Sequence, residues 1–288
     1  MRLATIKVNG TEKAGIVLNR GILPIKALNA AKGTAWAEDM MSLIQKQQIP
    51  GLTKWYNEGG KEELENIAGL VPNADVVYGP LYRNPKRIFG IGLNYVDHAG
   101  DIGSAAPKGF PGSFFKMADT LIGPGDEILL PKLKEAQKTT AEAELGIIMG
   151  KDCRDVSEEN WQDAIVGYTT ILDMTEESIL KGNDYVTGNP RYLCIVKNFP
   201  TFFSFGPQLV TPDEVPDAEI KCTEYPQWRG SRGKRSCEYD TPPGTPRVPA
   251  QQYSGLVRRR HPFHRNTESI PHSGRRHSGM PHPGTGRI

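Results

Sequence analysis

The sequence predicts an α+β fold dominated by β-strands, with a small N-terminal α/β domain. Apolar runs are short and are closed by Gly- or Pro-containing turns, as in RIFGIGLNY and TLIGPGDEILLP. Stretches with helical spacing are too few for the regular βαβ alternation of a doubly wound sheet. No internal repeat breaks the chain into stacked units. Three segments are expected: a small domain over 1–75, a larger domain over 80–223 that carries the chemistry, and an aberrant tail over 224–288.

Residues 3–9 (LATIKVN) alternate in polarity, Asn9-Gly10 supplies a hairpin turn, and AGIVL returns as a second strand. WAEDMMSLIQKQ and GLTKWYNEGGKEELENIAGL place apolar residues three and four apart and read as helices, punctuated by Gly51, Gly59 and Gly60. Pro72 to Pro85 is a connector rich in Pro, Asn and Gly. RIFGIGLNY then opens the second unit as a strand that gives way to a polar loop. Beyond it the pattern predicts a strand in AEAELGIIMGK, a short helix from Ser157 to Ile165, a strand in VGYTTILDMT and a further strand near LCIVKNF.

The overall composition, 38% hydrophobic and 24% charged with a net charge of +2, excludes a collagen-like or wholly disordered chain. That balance conceals two unlike parts. Residues 1–223 carry 23 Lys/Arg against 29 Asp/Glu, whereas 224–288 carry 12 against 4 and hold five of the six histidines. With only five Ile, Leu or Val in 65 residues, the tail has too little apolar surface to offset its ordering entropy and is expected to be disordered. The opening MRLATIKVNGTEKAG lacks a signal-peptide core and no run approaches about 18 apolar residues, so a cytoplasmic protein without membrane contact is expected. Cys153, Cys194, Cys222 and Cys237 form no C-x-x-C pair and read as reduced, mostly buried thiols.

Glu142-Ala143-Glu144 opens a strand-like run, and strand alternation sends both carboxylates to one face, about 7 Å apart. Such a pair marks either a solvated strand face or two oxygen ligands for a hard cation. Asp173, expected to end the strand Gly167 to Leu172, is either a helix cap or a third oxygen ligand. His98 stands three residues before Asp101, one helical turn away, as a general base held by an acid or as a surface pair. Lys197 in CIVKNF either snorkels out of an apolar strand or neutralises an oxyanion beside a metal, and Lys116 in FFKM poses the same choice.

Five blocks, FGIGLNYVDHA, FFKMADTLIGPGDEILLP, AEAELGIIMGK, VGYTTILDMT and VKNFPTFFSFGPQLVT, in this order and spacing, resemble the catalytic domain of the fumarylacetoacetate hydrolase family over about residues 86–223. The resemblance implies a mixed β-sandwich roll, a homodimer, and a Mg²⁺ or Mn²⁺ ion held by Glu142, Glu144 and Asp173. His98 then matches the catalytic histidine and Lys197 the active-site lysine; Asp101 stands where many members carry the longer Glu. Tyr95 and Lys116 are assigned to substrate binding. The implied substrate is a small 2-oxo or 1,3-dioxo acid, of the kind met in aromatic-compound catabolism. The implied reaction is hydrolytic C–C cleavage, as of an acylpyruvate, through a metal-stabilised enolate. Isomerisation of the 2-hydroxyhepta-2,4-diene-1,7-dioate type, decarboxylation of oxaloacetate, or an inactive truncated member are the alternatives.

The tail departs from the family, whose members continue with an Asn-Gly-Glu turn and a Gly-Asp-x-x-x-Thr-Gly-Thr-Pro segment. Read one base late, the codons of Gln227-Trp228-Arg229 permit Asn-Gly-Glu, and RRHPFHRNTESIPHSGRR from Arg259 permits GDILFTGTPRAFHIQDGD position by position. We therefore read residues 224–288 as a frameshifted version of a family C-terminus. A nucleic-acid-binding role for clusters such as Arg258-Arg259-Arg260 lacks interleaved aromatics and is not expected.

Overall fold

The computed structural model describes residues 1–92, 113–157, 160–181 and 193–215. The expected tail over 224–288, and Tyr95, His98 and Asp101, lie outside the described residues. The first hairpin forms as the alternation predicts: β1 (Arg2–Val8) pairs antiparallel with β2 (Thr11–Val17) through Asn9 and Gly10, both at positive φ (49° and 75°). Positive φ at both central residues is what a two-residue hairpin turn of this hand requires. Then follow β3 (Gly21–Pro24), α1 (Ile25–Lys32), α2 (Met40–Gln45), α3 (Ile49–Trp55), α4 (Lys61–Leu64) and β4 (Val71–Pro72).

α1 ends at Gly33 in the left-handed conformation (φ 65°), and Asp39 caps α2 by accepting from the Ser42 amide at 2.9 Å. The apolar faces of α1, α2 and α3, with Leu28, Leu43 and Leu52, close over the strands in one core cluster with Leu3, Ile16, Phe203 and Leu209. Strands from both ends of the described chain therefore share that core.

The remaining elements are β5 (Ile88–Ile91), β6 (Ser113–Lys116), β7 (Leu121–Ile122), β8 (Thr139–Met149), β9 (Ile165–Glu176), α5 (Glu177–Lys181), α6 (Leu193–Val196), β10 (Phe203–Phe205) and β11 (Gln208–Val210). Among the described residues, one nine-stranded sheet runs β4-β3-β2-β1-β11-β9-β10-β7, with β8 on the other side of β9; β5 and β6 form a separate two-stranded sheet. All pairs in the large sheet are antiparallel except β10 with β7. The fold is thus mixed and strand-dominated, as expected. Among the described residues no helix is long and apolar enough to cross a membrane.

Four expectations need correction. The strand near LCIVKNF is the helical turn α6, in which the Lys197 amide bonds to the Leu193 carbonyl at 3.3 Å and the Asn198 amide to the Ile195 carbonyl at 2.9 Å. Four apolar residues fit either structure, and local hydrogen bonding decided it. Asp173 does not end its strand: β9 continues to Glu176, whose carboxylate accepts from the Ser178 amide at 3.1 Å as the chain turns into α5. Of the helix expected over Ser157–Ile165, the described residues show a 3₁₀ turn at Trp161–Ala164, and Ile165 already belongs to β9. Cys153 and Cys194 are exposed rather than buried.

Candidate active site and metal centre

β8 and β9 form a long antiparallel ladder in which Glu142 lies directly opposite Asp173 and Glu144 opposite Ile171. Directly paired residues point to the same face, so Glu142, Glu144 and Asp173 project together, while Ala143, Leu172 and Met174 turn to the other face and pack with Phe202. Each carboxylate offers one oxygen within 4.8 Å of the other two. The Glu-x-Glu alternation was legible in the sequence; the cross-strand register that adds Asp173 was not.

Two lysines enter this cluster from outside the ladder. Lys116, the last residue of β6, donates to Asp173 Oδ1 and to the Met174 carbonyl, the latter at 3.2 Å. Lys197, just beyond α6, donates to Asp173 Oδ2 at 2.5 Å, to Glu142 Oε2 at 3.1 Å and to Thr175 Oγ1 at 2.7 Å. Each oxygen of Asp173 thus holds one ammonium. Both lysine side chains are buried, so neither snorkels to solvent. The Lys197 ammonium also lies 4.5 Å from the centre of the Phe114 ring, and that of Lys116 lies 6.0 Å from the Phe203 ring.

The charges do not balance evenly. Burial pushes the Glu144 carboxyl up to about 8, helped by Asp173 and Glu142, with Lys197 and Lys116 opposing. Burial pulls Lys116 below its ordinary value despite Asp173. For Lys197 burial acts in the same direction, but the pull of two carboxylates outweighs it and the net shift is upward. The two lysines differ because Lys197 touches two acids and Lys116 one.

Asn198 was missed in the sequence. Its carboxamide accepts from the Met117 amide at 2.6 Å and donates to the Phe115 and Cys194 carbonyls at 3.0 and 3.1 Å. It clips the backbone on both sides of Lys116 to the turn that presents Lys197. No local pattern announces that role, which rests on β6 and α6 meeting in space; the same is true of Phe114.

Three convergent carboxylate oxygens are a hard donor set that suits Mg²⁺ or Mn²⁺, and a carboxyl pushed up by burial and by two acidic neighbours fits a place for added positive charge. Buried, interdependent charges of this kind are where enzymes concentrate reactivity rather than stability. Residues 87–230, half of the 288-residue chain, match the family model described as fumarylacetoacetate (FAA) hydrolase, C-terminal. The chain belongs to the fumarylacetoacetate hydrolase family.

A protein of Burkholderia cenocepacia that carries the name hydrolase is 40% identical over 135 residues, covering 46% of this chain and 44% of its own. The chain therefore matches less than half the length of such curated relatives. Among solved structures, maleylpyruvate hydrolase from Sphingobium sp. SYK-6, in complex with manganese(II) and pyruvate, is 27% identical with a TM-score of 0.56, covering 78% of this chain and 72% of that one. The fumarylacetoacetate hydrolase of Exiguobacterium antarcticum, 21% identical with a TM-score of 0.54 over 78% and 71% of the two chains, shares the fold.

Proposed function

We propose that this chain is a Mg²⁺- or Mn²⁺-dependent enzyme that cleaves a C–C bond of a small 1,3-dioxo acid of the acylpyruvate type by hydrolysis. The observation that carries this reading is the meeting of Glu142, Glu144 and Asp173 on one sheet face with Lys197 among them. The maleylpyruvate hydrolase with bound manganese and pyruvate among its structural relatives supports hydrolysis over isomerisation or decarboxylation.

Glu142, Glu144 and Asp173 are the residues that would hold the ion. When bound, it supplies Lewis acidity toward the 2-oxo and carboxylate oxygens of the substrate. His98, oriented by Asp101, takes a proton from the water that attacks the distal carbonyl. The bond between that carbon and the methylene carbon then breaks, the acyl part leaves as a carboxylate, and the methylene carbon takes up a proton to give pyruvate. Lys197 offers its ammonium to the oxygen on which negative charge gathers, Lys116 keeps Asp173 in place, and Tyr95 contacts the substrate. The reading includes a cytoplasmic homodimer, for which light scattering at several concentrations is the check.

The test is a panel of acylpyruvates and oxaloacetate assayed with Mg²⁺, with Mn²⁺ and with chelator. Cleavage that needs the metal, and that falls at least about a hundredfold in Asp173→Ala, is expected. Turnover undiminished by chelator would overturn the reading. Glu142→Ala and Asp173→Ala are each expected to weaken Mn²⁺ binding at least about tenfold by calorimetry.

A further inference from the structure

The position of the Lys197 ammonium carries a consequence for how the cation enters, given the metal site proposed above. Its three hydrogen bonds go to Glu142 Oε2, Asp173 Oδ2 and Thr175 Oγ1, at 3.1, 2.5 and 2.7 Å. Two of these three atoms belong to carboxylates of the candidate ligand set. A divalent ion contacts carboxylate oxygens at about 2.0–2.6 Å. An ion bound to both Glu142 and Asp173 on that side therefore needs the space that the ammonium fills, and like charges at such a distance repel strongly in a buried site.

Lys116 stands differently. It holds the other oxygen of Asp173 and the Met174 carbonyl, has no bond to Glu142 among the described residues, and is the more deeply sealed of the two side chains (2% exposed against 8%). Lys197 has another partner ready, the face of Phe114 at 4.5 Å. An ammonium that loses its carboxylates there keeps a favourable contact with the ring.

We propose that Lys197 is a built-in competitor of the divalent cation: the incoming ion displaces its ammonium from Glu142 and Asp173, while Lys116 stays on Asp173. Metal loading and release of the Lys197 ammonium for work on the substrate are then one event. The carboxylates are never left without positive charge, because one cation replaces another. No bond is made or broken in the exchange.

Lysine acylation of the unaltered full-length chain, read by peptide mass spectrometry across a Mn²⁺ titration, tests this. Lys197 labelling is expected to rise several-fold with the same midpoint as Mn²⁺ uptake measured by electron paramagnetic resonance, while Lys116 remains protected. Saturable Mn²⁺ uptake with Lys197 labelling unchanged, or with Lys116 released in its place, overturns the exchange and leaves the metal site standing. Absence of any saturable uptake overturns both. Lys197→Met, where it folds, is expected to bind Mn²⁺ about tenfold more tightly because the competing charge is gone; weaker binding contradicts the proposal.

Discussion

Glu144 shows how much of this site is decided by single residues. Its carboxyl is held up to about 8 against an ordinary value of 4.5, first by burial and then by Asp173 and Glu142. Between those values the folded chain keeps a proton that the unfolded chain releases. Stability linked to Glu144 is therefore fully present below pH 4.5 and is lost as pH rises through about 8. Glu144→Gln imitates the protonated acid at every pH. In chelator, wild type and variant should melt together near pH 4.5, and the variant should melt several degrees higher above pH 8. A gap between the two that does not change with pH would mean that Glu144 does not titrate in this range. The two glutamates were legible as a pair because strand parity is a local rule. Which ammonium meets which oxygen was not, because Lys116 and Lys197 are 57 and 24 residues from Asp173 along the chain.

At the scale of elements, the site depends on three pieces of unequal strength. The β8–β9 ladder is long and continuous from Thr139–Glu176 to Ile148–Gly167, with one irregularity before Met149, and it fixes the carboxylates firmly. β5 and β6 form a two-stranded sheet separate from the main one, and α6 has four residues; neither would be stable alone in water. Asn198 ties these two weak elements together with three hydrogen bonds. Asn198→Ala should therefore cost about 0.5–1.5 kcal/mol in denaturant unfolding, since it removes hydrogen bonds that water can replace only in part at these exposed groups. Because the ladder does not depend on Asn198, Mn²⁺ stoichiometry should stay at the wild-type level. A loss of stoichiometry would show that Asn198 supports the ladder as well. The hairpin Asn9-Gly10 and the helices α2 to α4 were legible, since turn chemistry and apolar spacing are local; α1, Ile25–Lys32, was not anticipated. The strand wrongly expected at α6 shows the opposite case, a four-residue apolar run with no period long enough to measure.

The whole chain joins two regions of opposite charge, and the junction bears on the frame in which it is read. Residues 1–223 bear six more acidic than basic groups, and 224–288 eight more basic than acidic. Within the first region the ends are bound together: β1 pairs with β11, Leu3 opposite Leu209, and the family match ends at residue 230, close to where the composition changes. A tail evolved with that region would be expected to share its modest charge and apolar content. The one-base shift supplies such a tail, with Asn-Gly-Glu from 227–229 and GDILFTGTPRAFHIQDGD from 259 onward, and in that reading the Arg clusters vanish. Codon degeneracy makes one matching position cheap, but an unbroken run of matches through two separate family segments is hard to reach by accident. Independent sequencing of the gene should find a base gained or lost before codon 227. Peptide mass mapping of the natural protein should then return fragments of the shifted reading. Genomic sequence that preserves the present frame, with peptides such as HPFHR recovered from the cell, would refute the shift and make the basic tail a true part of the protein.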